Sequence, residues 1–418
     1  MKLKFSIQPM NEPGVDQLLT VGEAIRIIDN TEVAPLLSGP AKSHRQPTFS
    51  LAKDLLSDRD YPPFDKALMD GYAVRSADVS VVPSELTLVG EVAAGGDASL
   101  PVPPGTCVAI MTGAALPTDA DAVLPVEVSE VLGTRVRFHK TAKPDAAVSR
   151  RGADLKQGQI VLRQGTWIGP AQIGAVVQVG AFSEIPAEVF ECESPLRAHI
   201  LVTGDEIIAE DDSPGPAQMR DVNGPMLAAL FSSMGVNCTR SRVIDDERQT
   251  RESIDRFARA HEVLCVTGGM SMGKYDYVPR ALVALGFDLK ITKLRIKPGK
   301  PFVFATRQRA QKTDIVFGLP GNPVSGFCCT VRLTSRLIER MQGRVPAEPE
   351  SAELESPLPT NGPREFYQPA IVEGSRVKPL GWKGSADVFT LARSNALIIR
   401  PIDDPARAAG DRVSILRF

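Results

Sequence analysis

Apolar positions first fall on a helical period at Val21, Ala24, Ile25 and Ile28, behind Thr20 and Glu23, which stand at capping-box spacing. This predicts a helix whose apolar face packs on later parts of the chain. Beyond Pro35, Pro40 and Pro47 the spacing predicts a second short helix near Ser50 to Leu56. Pro62 and Pro63 then forbid helix, so Asp65 to Asp70 is expected on an ordered loop leading into a strand at Tyr72 to Val74. From Leu86 to His139 the pattern is β throughout (LTLVGEV, TCVAIMTGA, AVLPVEV, TRVRFH), with Leu132-Gly133-Thr134 as a hairpin turn. A helix is expected from about Pro170, followed by a connector, SEIPAEVFECESP. Because Gln17 to Leu56 and Arg150 to Val179 flank the β region, it reads as an insertion into one discontinuous unit.

At His199 strand and helix patterns begin to alternate. ILVT is followed by a helix capped at Asn223 and closed at Gly235, then VNCTRSRVI, then a helix capped at Asp246. VLCVT, a glycine loop and a helix ending at Gly286 come next, and IVF leads into a last helix. There Asn322 reads as the N-cap and Pro323 as a first-turn residue, with Val324, Phe327, Cys328, Val331, Ile338 and Met341 as the apolar stripe and Gly343 as the stop. Repeated βα units of this length mean a mostly parallel sheet with helices on both faces, which binds ligands at the carboxyl ends of its strands. Those ends carry TGDE (Thr203 to Glu206), Asp245-Asp246, TGGMSMGKYD (Thr267 to Asp276) and GLPGNP (Gly318 to Pro323). The tail, with short β runs such as ALIIRP and RVSILRF, is expected to form a small barrel or sandwich. The expected units are 15–60 with 140–192, 61–139, 193–344 and 345–418.

Composition narrows the chemistry. A net charge of -2 over 418 residues gives no global field toward nucleic acid or an anionic membrane, so neither is expected as a partner. The first residues lack the apolar core of a secretory signal and no run is long enough to span a bilayer, so a cytoplasmic location is expected. The 6 cysteines include no C-x-x-C pair, and the 4 histidines are scattered, which argues against disulfides, zinc or a histidine metal cluster. A metal would be held by carboxylates, which favours Mg²⁺.

Gly269 to Gly273 matches G-x-S-x-G, but all histidines precede Ser271, whereas the hydrolase order places the histidine after the serine. Ser271 to Lys274 also spells S-x-x-K, without that motif's usual companions. The better reading is that Gly268, Gly269 and Gly273 let backbone amides approach an anion, with Ser271 as a further donor. Asp246 and Asp276 could each be a helix cap; capping does not account for Glu206 beside Asp205 at a strand end. Lys290 to Lys312 is rich in lysine and arginine and holds no acid, and an alternating solvated strand face would explain part of it. Lys297 and Lys300 nevertheless flank a Pro-Gly turn within reach of the crevice. Acids on one side and lysines on the other suit a phosphorylated substrate with Mg²⁺.

The strings PPFDKALMDGYAVR, IMTGA, RRGAD, TGDE, RDVN, DD, TGGMSMGKYDY, KPGKPFVF, GLPGNPVS and GSADVFTL follow one another along nearly the whole chain. In this order they resemble the molybdopterin molybdenumtransferase family, the MoeA family of molybdenum cofactor synthesis, which includes the C-terminal region of gephyrin. The resemblance implies an elongated, four-part subunit working as a homodimer: a discontinuous N-terminal domain, an inserted β domain, a three-layer α/β/α domain similar to molybdopterin adenylyltransferase, and a C-terminal β-barrel. It implies a Mg²⁺-dependent reaction in which adenylylated molybdopterin and molybdate give molybdenum cofactor and AMP. Molybdopterin adenylyltransferase and molybdoenzymes are the partners this implies.

By the same resemblance Asp245 and Asp276 would bind Mg²⁺ and the adenylate side of the substrate, and Glu206 would lie at the reacting centre. Asp70, Thr112 and Asp154 match positions needed for activity, the first two reaching the crevice from the other subunit. Ser271, Lys293, Lys297, Lys300, Pro320, Pro323 and Ser385 match positions that shape the pterin and molybdate pockets, where Gly321 and Asn322 complete the turn. Two stretches depart from the family. FDNSAMDGYA reads FDKALMDGYA, with Lys66, Ala67 and Leu68, and RRGED reads RRGAD, with Ala153. The rival readings are the preceding adenylylation step, which does not need the outer domains, and a non-catalytic pterin-binding scaffold, which would gain little from mutually repelling carboxylates.

Overall fold

The computed structural model describes residues 18–33, 49–93, 95–96, 98–215, 218–270, 277–310 and 312–418. At the centre lies a six-stranded sheet in the order Asn237–Val243, Arg197–Thr203, Val263–Thr267, Thr313–Leu319, Val303–Gln308, Asp288–Ile291. The first four strands are parallel; the last two join antiparallel. Alternate residues feed opposite cores, as a pleated strand requires. Ile200, Val202, Val263, Cys265, Ile315 and Phe317 share a core with Met226 and Leu227 of the helix Asn223–Ser233. Leu201, Leu264, Val266 and Val316 share another with the helices Glu247–Ala260 and Tyr277–Ala284. Helices cover both faces, so the unit has three layers.

The caps differ in part from expectation. Asp246 accepts from the Gln249 amide at 2.7 Å, as its position suggests. Asn223 is instead the first residue of its helix, and Asp221 takes the first-turn amide, accepting from Gly224 N at 2.7 Å. Asn322 has the extended backbone of a cap but makes no side-chain cap bond. The helix that begins at Pro323 runs through a π turn, Thr330–Thr334, to Met341.

The inserted unit is a second six-stranded sheet, with the Gly133 hairpin joining Ser129–Leu132 to Arg135–Phe138. The chain enters and leaves it through paired segments: Phe49–Ser50 with Trp167–Ile168, Leu55–Leu56 with Ile160–Leu162, and Lys66–Ala67 with Val148–Ser149. These ladders correct the helix expected near Ser50 to Leu56. In the first two ladders the partners lie more than a hundred residues away in the chain, a distance local spacing cannot register.

The helix Val21–Asp29 carries the expected capping box, Glu23 N donating to Thr20 Oγ1 at 3.2 Å and Thr20 N to Glu23 Oε2 at 2.8 Å. It packs on the helix Ser335–Met341, where Arg336 binds Asp29 at 2.8 Å and Arg340 donates to the Ile28 carbonyl at 2.8 Å. In the tail, Glu350–Leu354, Glu365–Glu373, Arg376–Pro379, Ala396–Arg400 and Arg412–Arg417 close into a five-stranded barrel around Leu354, Val372, Val377 and Ile398. Ile296–Lys297 pairs with its edge residues Glu365 and Phe366, which ties the barrel to the central unit. Among the described residues no helix is long and apolar enough to cross a membrane.

Candidate active site at the strand ends

Directly after Val263–Thr267 the chain enters the left-handed region at Gly268 (φ 88) and Gly269 (φ 60), which glycine adopts without a steric penalty. A Cβ on Gly268 would lie 2.6 Å from the Thr203 carbonyl oxygen, and Gly268 N donates to Leu319 O at 3.3 Å. Gly321 lies against the same point, since a Cβ there would be 3.6 Å from Gly268 Cα. The ends of three strands thus meet through backbone, which only small residues permit. The Asn223 amide donates to Gly321 O at 2.7 Å and holds the second glycine turn over the first. Around this floor Thr203 Oγ1, Thr267 Oγ1 and Asn223 Oδ1 are buried and have no hydrogen-bond partner among the described residues. Leaving such atoms unpaired costs about 1–3 kcal/mol each, so a polar ligand or water that reached them would be held.

Carboxylates stand at the adjacent ends. Asp205 Oδ1 accepts from Asp245 N at 3.0 Å, linking the two acidic strand ends. Burial pushes the Glu206 carboxyl above the usual carboxylate range, and the charges of Asp245 and Asp205 push it further. A divalent cation would relieve that repulsion. Among the described residues no group of three or more His, Cys, Asp or Glu is arranged to hold a metal. Mg²⁺ is commonly held by one or two carboxylates with phosphate oxygens and water, so Asp245, beside Asp205, fits it as a partial donor set. Asp276, expected beside them, lies outside the described residues, as do Ser271 and Gly273.

Of the lysines, Lys297 places its ammonium 4.8 Å from the Phe366 ring centre and 5.7 Å from that of Trp382. Lys300 is exposed on the same turn, and its carbonyl accepts Leu294 N at 2.9 Å. The Lys293 carbonyl accepts Leu19 N at 3.2 Å. Arg295 turns toward the barrel and donates to Pro363 O at 3.1 Å. The barrel segment around Ser385 reaches the helix start: Val324 N, next to Pro320–Pro323, donates to Ser385 O at 3.1 Å. Two residues earlier, Lys383 Nζ donates to the carbonyls of Ala153 and Asp154 at 2.6 and 3.0 Å. Asp154, Ser385 and the Pro320 turn are therefore linked within one chain.

Asp70 and Thr112 are placed elsewhere. Asp70 Oδ1 accepts both Thr112 N and Thr112 Oγ1 at 2.7 Å, at one end of the inserted sheet. Among the described hydrogen bonds none joins this pair to the strand-end crevice of the same chain. Sequence reasoning missed the part played by Asn223, taken for a cap. The available signal was a polar side chain opening an otherwise apolar helix and buried within it.

An α/β/α unit with glycine turns and carboxylates at its strand ends, flanked by an inserted sheet and a barrel, defines a multidomain α/β protein with its candidate site at a strand-end crevice. The chain matches three family models in order: MoeA N-terminal region (domain I and II) over residues 19–180, probable molybdopterin binding domain over 199–339, and MoeA C-terminal region (domain IV) over 351–418. It is 31% identical to a molybdopterin molybdenumtransferase of Nostoc sp. across 88% of this chain and 86% of the relative. It is 27% identical to one of Staphylococcus aureus across 95% of each. The crystal structure of a molybdopterin biosynthesis MoeA protein from Pyrococcus horikoshii superposes with a TM-score of 0.51 at 25% identity, covering 96% of this chain and 99% of that one. The chain belongs to the MoeA family of molybdopterin molybdenumtransferases.

Proposed function

We propose that this chain inserts molybdate into adenylylated molybdopterin and releases AMP, with the chemistry at the strand-end crevice. The observation that carries the reading is the convergence of Glu206, Asp205 and Asp245 beside a floor made by Gly268 and Gly321. The Thr203 and Thr267 hydroxyls on the floor suit a phosphate-bearing pterin as hydrogen-bond donors. Lys293, Lys297 and Lys300 supply positive charge for molybdate, Ser385 a hydroxyl beside it, and Pro320 to Pro323 the rigid turn between the two pockets. Glu206, its carboxyl raised by burial and by the charges of Asp245 and Asp205, is suited to give or take a proton as the phosphoanhydride breaks. Bound Mg²⁺ would stabilise negative charge on the phosphate oxygens, held there by Asp245 and Asp276.

Asp154 enters from the same chain. Asp70 and Thr112, joined to each other on the inserted sheet, would enter from a second copy, which makes the working species a homodimer. A cytoplasmic place, between the adenylyltransferase that supplies the substrate and the molybdoenzymes that take the product, follows from this reaction. The test is AMP release from adenylylated molybdopterin with Mg²⁺, with and without molybdate. Molybdate-dependent release is expected. Consumption of ATP with free molybdopterin, indifferent to molybdate, would instead assign the preceding adenylylation step.

A further inference from the structure

We propose that Trp382 is a positioning residue for the reaction, its ring, together with that of Phe366, holding the Lys297 ammonium in place for the tetrahedral oxyanion. The inference rests on the reading above that Lys297 serves molybdate. Trp382 and Phe366 both lie outside the strings that carry the family resemblance. The Lys297 nitrogen stands 4.8 Å from the Phe366 ring centre and 5.7 Å from that of Trp382, inside the ~6 Å over which an aromatic face attracts a cation. The two ring centres are 5.3 Å apart at 34°, so the rings form one wall. Lys297 is exposed, and among the described residues its ammonium has no carboxylate or hydrogen-bond partner. A ring face leaves the N–H donors of an ammonium open, whereas a carboxylate would compete with an anion for them. Neighbouring charges are engaged elsewhere. Arg295 donates to Pro363 O, Lys383 to the Ala153 and Asp154 carbonyls, and Glu365 accepts from the Tyr367 hydroxyl.

Backbone contacts fix both sides of this wall. Lys297 pairs with Phe366 in the short ladder between the central unit and the barrel. The turn that follows is seated on the helix Pro323–Cys329, since a Cβ on Gly299, at a φ of 116, would lie 2.5 Å from Cys329 Sγ. On the barrel side the loop 381–387 is held at three points. Thr390 Oγ1 donates to Gly381 O at 3.4 Å, Lys383 N to Asp387 Oδ2 at 3.1 Å, and Val324 N to Ser385 O at 3.1 Å. The last of these ties the loop that carries Trp382 to the helix start beside Pro320–Pro323, and so brings the Lys297 ammonium to the edge of the crevice. The Trp382 indole nitrogen is buried with no hydrogen-bond partner among the described residues, so packing on the main core sets the ring. Another aromatic ring at this position would give up no described hydrogen bond.

The chain has 2 tryptophans, and the other, Trp167, is 64% exposed, so full-length Trp167→Phe reports Trp382 fluorescence alone. Titrated with sodium molybdate at fixed ionic strength, its emission is expected to change saturably as the anion engages the ammonium beside the ring. Sodium chloride should give no saturable change, and adding Lys297→Met should abolish the response to molybdate. In the AMP assay Trp382→Leu is expected to raise the molybdate concentration for half-maximal release about threefold at unchanged kcat, the loss of one exposed cation–π contact. Trp382→Phe, which keeps a ring face, is expected to stay within about 1.5-fold of the parent. Emission that does not respond in folded Trp167→Phe, or a response that survives Lys297→Met, would overturn the proposal. So would Trp382→Leu half-saturating with the parent, or Trp382→Phe weakened as far as Trp382→Leu. If Trp382→Leu does not fold, the fluorescence titration, which keeps Trp382, decides alone. A saturable, Lys297-dependent response in a protein that releases no AMP would leave the oxyanion seat standing and defeat the functional reading instead.

Discussion

Replacing Gly268 or Gly321 by alanine separates what holds the crevice together from what the crevice binds. At Gly268 the added Cβ would lie 2.6 Å from the Thr203 carbonyl oxygen and 2.7 Å from Thr203 Oγ1, at a φ of 88. Left-handed backbone costs a non-glycine residue roughly 1–2 kcal/mol. Forcing a carbon into closed packing adds about 1–3 kcal/mol, so the substitution should destabilise the central unit by about 2–5 kcal/mol. For a unit of this size that is a fall in Tm of roughly 4 °C or more. At Gly321 the nearest atom to the added carbon is Gly268 Cα at 3.6 Å, an ordinary contact, so Tm should stay within about 1 °C. The methyl does, however, stand on the crevice floor. For Gly321→Ala kcat/KM for AMP release should fall about tenfold, or about 1.4 kcal/mol. Scanning calorimetry of the full chain, read at the first transition, together with the AMP assay gives both numbers. Gly268→Ala melting with the parent protein would refute the crowded backbone contact on which the site is built.

Arg220 is 7% exposed and binds Asp58 Oδ2 at 2.8 Å and the Gln178 carbonyl at 2.9 Å, joining the discontinuous unit to the central one. Arg220→Met should cost about 3–5 kcal/mol and give earlier melting and faster proteolysis between the units. His199, stacked on Phe257 and bonded to Thr239 and Ser241 at 2.8 Å, is held down to about 3 by burial. The unfolded chain therefore binds more protons below about pH 6.5, and each unit of acidification from there costs up to about 1.4 kcal/mol of stability. Asp221, raised to about 6 by burial, acts in the opposite sense between about pH 6 and its ordinary value of 3.8, where the folded state binds more protons. The difference between parent and His199→Gln isolates the histidine: Tm of the variant should fall less between pH 6.5 and 4.5, and equal falls would contradict the assignment. Lys297→Met should raise the molybdate concentration for half-maximal AMP release about tenfold, while losing no more than about 1 kcal/mol of contact with Phe366 and Trp382.

The strand ends were legible because buried parallel strands read as apolar runs, and VLCVT stops at Gly268, where an added Cβ would meet the Thr203 carbonyl. The caps at Thr20 and Asp246 were legible too, because capping is a contact between residues three apart. What stayed hidden depends on distant partners. The ladders at Phe49–Ser50 and Leu55–Leu56 pair across the whole inserted sheet, and local spacing there suggests helix. Lys383 reaches Asp154 over 229 residues, and Asn223 reaches Gly321 over 98. Only the family resemblance, not the pattern of residues, singled out Asp154 and Ser385 in expectation. Asp70 and Thr112 show the limit most clearly, because their bond to each other is read from the single chain while their place at a crevice, from a second copy, is what the family resemblance implies.

The central claim is that the acidic strand ends perform the reaction, and AMP release by Glu206→Gln tests it most directly. With molybdate, Mg²⁺ and adenylylated molybdopterin supplied, the variant should release AMP at least about a hundredfold more slowly than the parent, in the range typical of losing one group that stabilises a transition state. Its Tm should match or exceed the parent's, since the exchange removes a buried carboxyl repelled by Asp205 and Asp245. Release at the parent rate from a folded Glu206→Gln protein would contradict the account.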